Sequence, residues 1–180
     1  MFFVRSSESS FCPACGGALR SRDRRRRKVL LKDGQCIVLS IRRLRCKDCG
    51  KIHAELPDLV QPFKHYASRV IQKVLDGHSE GCSAEDSTIR RWLREFENSR
   101  SRMDAALSAL QTIYRRKSGN LLSPVSLLNQ IQLHRPLGWY PFVTRILVNH
   151  GLAAYTRFAF CPDGAHGKIA VTQNQGGNLP

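Results

Sequence analysis

The chain has 180 residues, enough for one moderate domain or two small ones. Its 29 Lys and Arg against 14 Asp and Glu leave a net charge of +15. That excess points to a polyanionic partner, nucleic acid ahead of an anionic membrane surface, because no helical segment joins a basic face to a broad exposed apolar one. No stretch reaches the ~18 uninterrupted apolar residues of a membrane span. The opening Met-Phe-Phe-Val-Arg-Ser-Ser-Glu also lacks the apolar run of a secretory signal, so the expectation is a cytoplasmic protein with reduced thiols.

Two Cys-x-x-Cys turns, Cys12-Pro-Ala-Cys15-Gly-Gly and Cys46-Lys-Asp-Cys49-Gly-Lys, flank a basic segment. Together Cys12, Cys15, Cys46 and Cys49 supply the four thiolates of a closed tetrahedral Zn2+ site. The spacing between the pairs exceeds the ~15–20 residues of the common four-cysteine signature. Its contents account for the excess: Arg27–Lys32 and Gln35–Arg42 are strand-like runs joined by Asp33-Gly34, a hairpin turn signal that returns Cys46 and Cys49 to Cys12 and Cys15. The predicted unit is a zinc ribbon over residues 1–58. A thioredoxin-like pair would need a βαβ pattern around one motif, and a disulfide framework an oxidising compartment; neither fits. His53 is able in principle to ligate, but with four cysteines at hand it is read as packing beside the metal. Cys36 reads as a small buried thiol within a strand, and Cys82 and Cys161 have no evident partner.

Between the first pair and the hairpin runs Arg20-Ser-Arg-Asp-Arg-Arg-Arg-Arg-Lys28. Strand alternation puts Arg25 and Arg27 on one face and Arg24 and Arg26 on the other. With Lys28, and Arg42, Arg43 and Arg45 on the returning strand, this is a candidate phosphate-binding surface, independent of base sequence and weakened by salt.

Leu56-Pro-Asp-Leu-Val-Gln-Pro62 breaks regular structure at its prolines and marks a boundary. A helix is predicted over His65–Asp76, ended by Gly77. The next begins with Ser83 as N-cap and Asp86 at N3. It carries Ile89, Trp92, Leu93 and Phe96 inward, and Ser87, Thr88, Arg90, Arg91, Arg94 and Asn98 outward, a side-chain set able to read a major groove. A further helix is predicted over Ser101–Arg116, stopped by Gly119. These make a helix-turn-helix-like region over 59–118. In 119–161, Ser123-Pro124 opens a helix and Trp139–His150 forms another, closed by Gly151. Leu152–Phe160 is apolar and reads equally as helix or strand. Residues 162–180 read as a disordered tail.

These stretches resemble a known group: Cys12–Gly17, Arg42–His53, Glu55-Leu-Pro57, Lys64-His-Tyr66, Glu85–Trp92 and Thr156–Phe160. The chain is similar to the zinc-ribbon and helix-turn-helix segment of bacterial insertion-sequence transposases. It is closer to small uncharacterised domain-of-unknown-function proteins of spore-forming Gram-positive bacteria. The resemblance implies DNA binding. Two features depart from it. The gap from Gly77 to Ser83 is short for a full middle helix, and a transposase catalytic half is missing. Beyond Glu97 the acidic residues are Asp104 and Asp163, too few to hold two metal ions for phosphoryl transfer. The expectation is an α+β protein without catalytic activity, binding Zn2+ and nucleic acid, DNA in preference to RNA. The alternatives are an RNA- or ribosome-associated ribbon and a protein–protein adaptor.

Overall fold

The structure is a computed structural model that describes residues 1–4, 11–115, 126–153, 155 and 157–160. It is a mixed α+β arrangement: β1 (Phe2–Phe3), β2 (Leu19–Leu30), β3 (Cys36–Cys46), β4 (Ile52–Leu56), α1 (Ser68–Leu75), α2 (Asp86–Arg115), α3 (Leu127–His134), α4 (Trp139–Asn149) and β5 (Phe158–Phe160). The expected opening of a helix at Ser123-Pro124, the stop at Gly119, Cys161 and the tail from Pro162 lie outside the described residues.

β3 organises the sheet. Its Ile37, Val38, Leu39 and Ile41 favour extended backbone, and β2 pairs with it antiparallel from Leu19↔Cys46 to Leu30↔Cys36, with a register shift between Ser21 and Asp23. The hairpin is longer than the sequence runs indicate, because the arginines of β2 are carried into the ladder by their partner strand. At its tip Gly34 takes φ +78, the Leu31 amide donates to the Gln35 carbonyl at 2.9 Å, and the Gln35 amide donates to Asp33 Oδ1 at 3.1 Å. On the other edge of β3, β1 pairs in parallel at Leu39 and Ser40 and β4 antiparallel at Arg43–Arg45. β5 then extends β4 in parallel, which settles Phe158–Phe160 as strand.

The sheet core draws on residues from both sides of the proline-rich break. Val29, Leu39, Ile41 and Leu56 pack with Val60, Ala67 and Val70, and with Val148 and Phe160. A second cluster joins Leu107, Leu128, Trp139, Val143 and Leu147, and a third joins Ile71, Val74, Ala84 and Trp92. The N-terminal segment thus packs on helices and on β5 as well as around its cysteines.

The helices depart from the sequence reading at several places. α1 starts at Ser68, because Tyr66 and Ala67 are bridged to Leu30 and Val60. It ends as expected at Gly77 (φ +88), with the Gly77 amide on Val74 O and the His78 amide on Lys73 O, a paired 5→2 and 6→1 cap. Ser83 does not cap α2: its hydroxyl donates to Leu31 O in the hairpin turn at 3.4 Å. The Glu85 carbonyl instead takes the first helical amides, Thr88 and Ile89. The two helices expected over 83–98 and 101–116 are one, α2. No Gly or Pro interrupts Asn98-Ser-Arg-Ser101, and Ser99 turns its hydroxyl back to Phe96 O at 2.9 Å. Leu93, expected in the core, is 42% exposed, since the neighbouring elements cover only the Trp92–Phe96 side of α2. α3 is capped by Ser126, whose Oγ accepts from the Asn129 amide at 3.2 Å and donates to Asp104 Oδ1 at 2.9 Å.

Candidate metal centre and basic hairpin

The first Cys-x-x-Cys turn leads into β2 and the second leaves β3, so the pairing Leu19↔Cys46 sets the two turns face to face. Each is closed by backbone bonds. The Cys12 amide donates to Gly17 O at 2.9 Å, the Gly16 amide to Cys12 O at 2.7 Å, and the Cys46 amide to Lys51 O at 2.9 Å. The Lys47 amide reaches across to Ala18 O at 3.0 Å, tying one turn to the other. Gly17 leaves room for its neighbours: a Cβ there would lie 2.1 Å from Asp48 Oδ2, an exposed side chain that would have to turn away, and 3.1 Å from Cys46 Sγ.

The four sulfurs of Cys12, Cys15, Cys46 and Cys49 lie within 4.8 Å of one another. Cys12 and Cys49 Sγ are 3.6 Å apart, and Cys15 and Cys46 Sγ 3.5 Å. Four sulfurs tetrahedral about one ion at ~2.3 Å would sit roughly 3.8 Å apart, whereas a disulfide needs ~2.05 Å. The set therefore fits a single metal ion, and the thiols are free. Their proton affinities are pulled apart. The Cys49 and Asp48 amides bring the Cys46 thiol down to about 7 against some desolvation. Burial pushes Cys12 up. At Cys15 the Gly17 amide lowers the value, but the crowded Cys46 and Cys49 thiols prevail and push it up to about 12. One thiolate forms readily and its neighbours resist, which is the electrostatic situation a divalent cation resolves.

His53, on β4 opposite Leu44, is fully buried, with Nε2 3.2 Å from Cys12 Sγ. It stands behind the sulfur as a hydrogen-bonding neighbour of the cluster. Cys36, expected buried, is exposed at the start of β3, and Cys82 is half-buried against the sheet core and the α1–α2 cluster.

The arginines divide by strand face and by partner. On the face shared with Leu39 and Ile41, Arg27 turns inward. Its Nη2 donates to Lys64 O at 2.6 Å and also to Gln61 O, and burial together with Arg25 lowers its proton affinity. Arg42 is clasped by Glu55, Nε to Oε2 at 2.6 Å and Nη2 to Oε1 at 2.8 Å. Arg43 forks onto Asp23, and its guanidinium holds that carboxyl below the usual range. Arg24 reaches Ser40 O at 3.3 Å and lies 5.5 Å from the Phe3 ring centre. Arg25, Arg26 and Lys28 remain exposed, as do Arg20 and Arg45, which face each other across the ladder, and Lys47 and Lys51 beside the cysteines. Cations along β2 also guard a sheet edge against pairing with another strand.

On α2, Ser87, Arg90, Arg91, Arg94 and Asn98 are exposed and Thr88 is half-buried; of these, Thr88, Arg91 and Asn98 line a groove of about 920 Å³ between α2 and the Pro62–Tyr66 turn. The outward set is thus split over two surfaces. Trp92 is core, 5.1 Å and edge-on from Tyr66. The connection from α1 to α2 spans residues 76–85, longer than the three- or four-residue turn of a helix-turn-helix.

The end of α4 approaches the first cysteine turn. Gly151 ends α4 at φ +67, and a Cβ there would lie 2.8 Å from Pro13 O. Gly77 has a similar φ with open space around it. Gly151→Ala is expected to cost about 2 kcal/mol and Gly77→Ala about 1, since only the former adds a backbone clash to the left-handed penalty. Denaturant unfolding of the two metal-loaded variants checks this; equal losses would mean the α4 end does not brace the first turn.

A family model described as a domain of unknown function, DUF6431, matches residues 12–92, which takes in both cysteine turns, the hairpin, α1 and the start of α2. No curated protein and no solved structure matches the chain. No helix among the described residues is long and apolar enough to cross a membrane.

Proposed function

We propose that the chain is a zinc-dependent DNA-binding protein without catalytic activity, acting in transcription or mobile-element biology. The observation that carries this reading is the union of a four-sulfur cluster with exposed cations over the hairpin it closes, Arg26 and Lys28 on one strand face and Arg25 on the other, with Arg20, Arg45, Lys47 and Lys51 towards its cysteine end. Four thiolates in a closed set favour zinc over harder cations. A rigid hairpin then presents its guanidinium and ammonium groups to phosphates as a fixed array, without ordering long side chains on a floppy loop. Ser87, Arg90 and Arg94 on α2 would meet the same duplex as a helix face, with DNA ahead of RNA because that face suits the major groove.

Metal analysis of the purified protein should return one zinc per chain. In a salt titration with a blunt DNA duplex, each phosphate contact contributes a slope of about 0.9 in log affinity against log salt. Replacing Arg25, Arg26 and Lys28 together by Ala is expected to reduce the slope by about 2–3 and the affinity at least tenfold. Unchanged affinity in that variant, or affinity independent of salt in the parent, would sink the reading. Tighter binding to a structured RNA competitor of equal length would transfer the hairpin to the RNA alternative.

A further inference from the structure

The groove between α2 and the Pro62–Tyr66 turn has features that phosphate gripping by the hairpin does not use. Its floor is aromatic, with Tyr66, Trp92, Phe96 and Tyr140, and its rim carries Arg91 and Arg102. Burial pushes the Tyr140 hydroxyl well above its ordinary value, so it remains a neutral donor. At the mouth stands Phe63. It is the one non-glycine residue among those described with a positive φ, +59, a conformation that is an outlier for a bulky side chain.

The turn that forces this conformation is held from the hairpin. Arg27 donates to the carbonyls of Gln61 and Lys64, which bracket Phe63. The Lys64 ammonium in turn meets Glu95 of α2. The Phe63 ring stands edge-on to Tyr155 and Phe158 at 5.5 and 5.0 Å and is still 61% exposed. A large apolar ring, held by a backbone conformation it disfavours and still 61% exposed, offers surface to a flat partner. Strained backbone kept in place by its surroundings is characteristic of binding sites.

We infer that this groove binds an unpaired nucleobase of a DNA strand, stacked on Phe63, with Arg91 and Arg102 on the phosphates either side. The inference rests on the nucleic-acid reading above and extends it from the duplex backbone to a single-stranded or unstacked position. The ligand class follows from the lining. Aromatic faces accept any base, a cationic rim accepts the chain that carries it, and a cavity of this volume lies within the range of small-ligand sites. An aliphatic or acidic peptide would satisfy only one of the two surfaces.

The test uses two probes, oligothymidylate and a blunt duplex, on the full metal-loaded chain. Phe63→Leu keeps an apolar side chain and loses the stacking face; Arg102→Gln removes one rim cation. Phe63→Leu is expected to weaken oligothymidylate binding roughly tenfold while duplex affinity stays within twofold, and oligothymidylate should quench tryptophan emission in the parent through Trp92. Arg102→Gln should lower the single-strand salt slope by about 0.7, the value for one contact on a single strand. Unchanged oligothymidylate affinity in both variants overturns the groove assignment and leaves the hairpin reading intact. Equal losses on both probes overturn it too, since that is the signature of a merely weakened fold. If neither probe binds the parent protein, both readings fall.

Discussion

Removing the metal with a chelator, or replacing Cys46 by Ser, should release the cysteine end of the hairpin and cost several kcal/mol of stability, set against the ~10–16 kcal/mol of structural zinc sites in isolated peptides. The loss is expected to be partial because the sheet core also packs on α1, α4 and β5, and the Trp139 cluster includes no residue of the cysteine turns. Helical circular dichroism should therefore survive chelation, while binding of the hairpin to DNA falls. Cys46 is the most informative ligand to change, as the thiol most easily ionised, at about 7. The pH dependence follows from the same groups. In the metal-free protein at neutral pH Cys12 and Cys15 hold their protons, since burial raises the first and neighbouring thiols carry the second to about 12. Metal uptake must displace those protons, so affinity rises with pH, by about tenfold per unit for each proton released and therefore by at least a hundredfold per unit when Cys12 and Cys15 both give one up. Competition with a chromophoric chelator between pH 6 and 8 measures the slope; a flat profile would mean that these thiols do not ligate as thiolates.

The cysteine turns and the hairpin between them were legible because their signals are local: paired cysteines at fixed spacing, Asp33-Gly34 at a turn, and β-branched residues along β3. Gly77 and Gly151 were equally readable as helix ends, where a positive φ leaves few choices. What failed was decided by contacts distant in sequence. Ser83 has the right chemistry for an N-cap but sits against the hairpin turn, and its hydroxyl goes to Leu31 O. Leu93 follows the apolar period of α2, yet nothing among the described residues packs over that side. The arginine run gave charge without partners: no local rule says that Arg27 turns to Gln61 and Lys64 while Arg25, two residues away on the same face, stays in solvent. Phe63 gave no signal at all, since a left-handed turn is read from Gly or Asn and here the conformation is imposed from outside by Arg27. The groove it guards is therefore a product of tertiary structure.

Glu55→Ala should be strongly destabilising although it lies outside the cysteine turns. Glu55 is buried on β4, with a side chain 1% exposed, and it receives both arms of Arg42, itself 27% exposed. Removing the carboxylate leaves a guanidinium largely shielded from water with its main counter-charge gone, at a cost of about 3 kcal/mol. Exchanging both residues for apolar ones of similar size, Arg42→Met with Glu55→Leu, should cost clearly less than Glu55→Ala, because neither charge is then desolvated. Chemical denaturation of this double variant with its two singles, Arg42→Met and Glu55→Leu, gives the coupling between the positions, and a double variant as unstable as the sum of its singles would show that the pair is not acting as a unit. The same proteins separate structure from function along the hairpin. If Arg42 serves Glu55 while Arg25, Arg26 and Lys28 serve phosphates, the double variant should bind a DNA duplex with the salt slope of the parent. A slope reduced by about 0.9 would instead assign Arg42 a phosphate of its own.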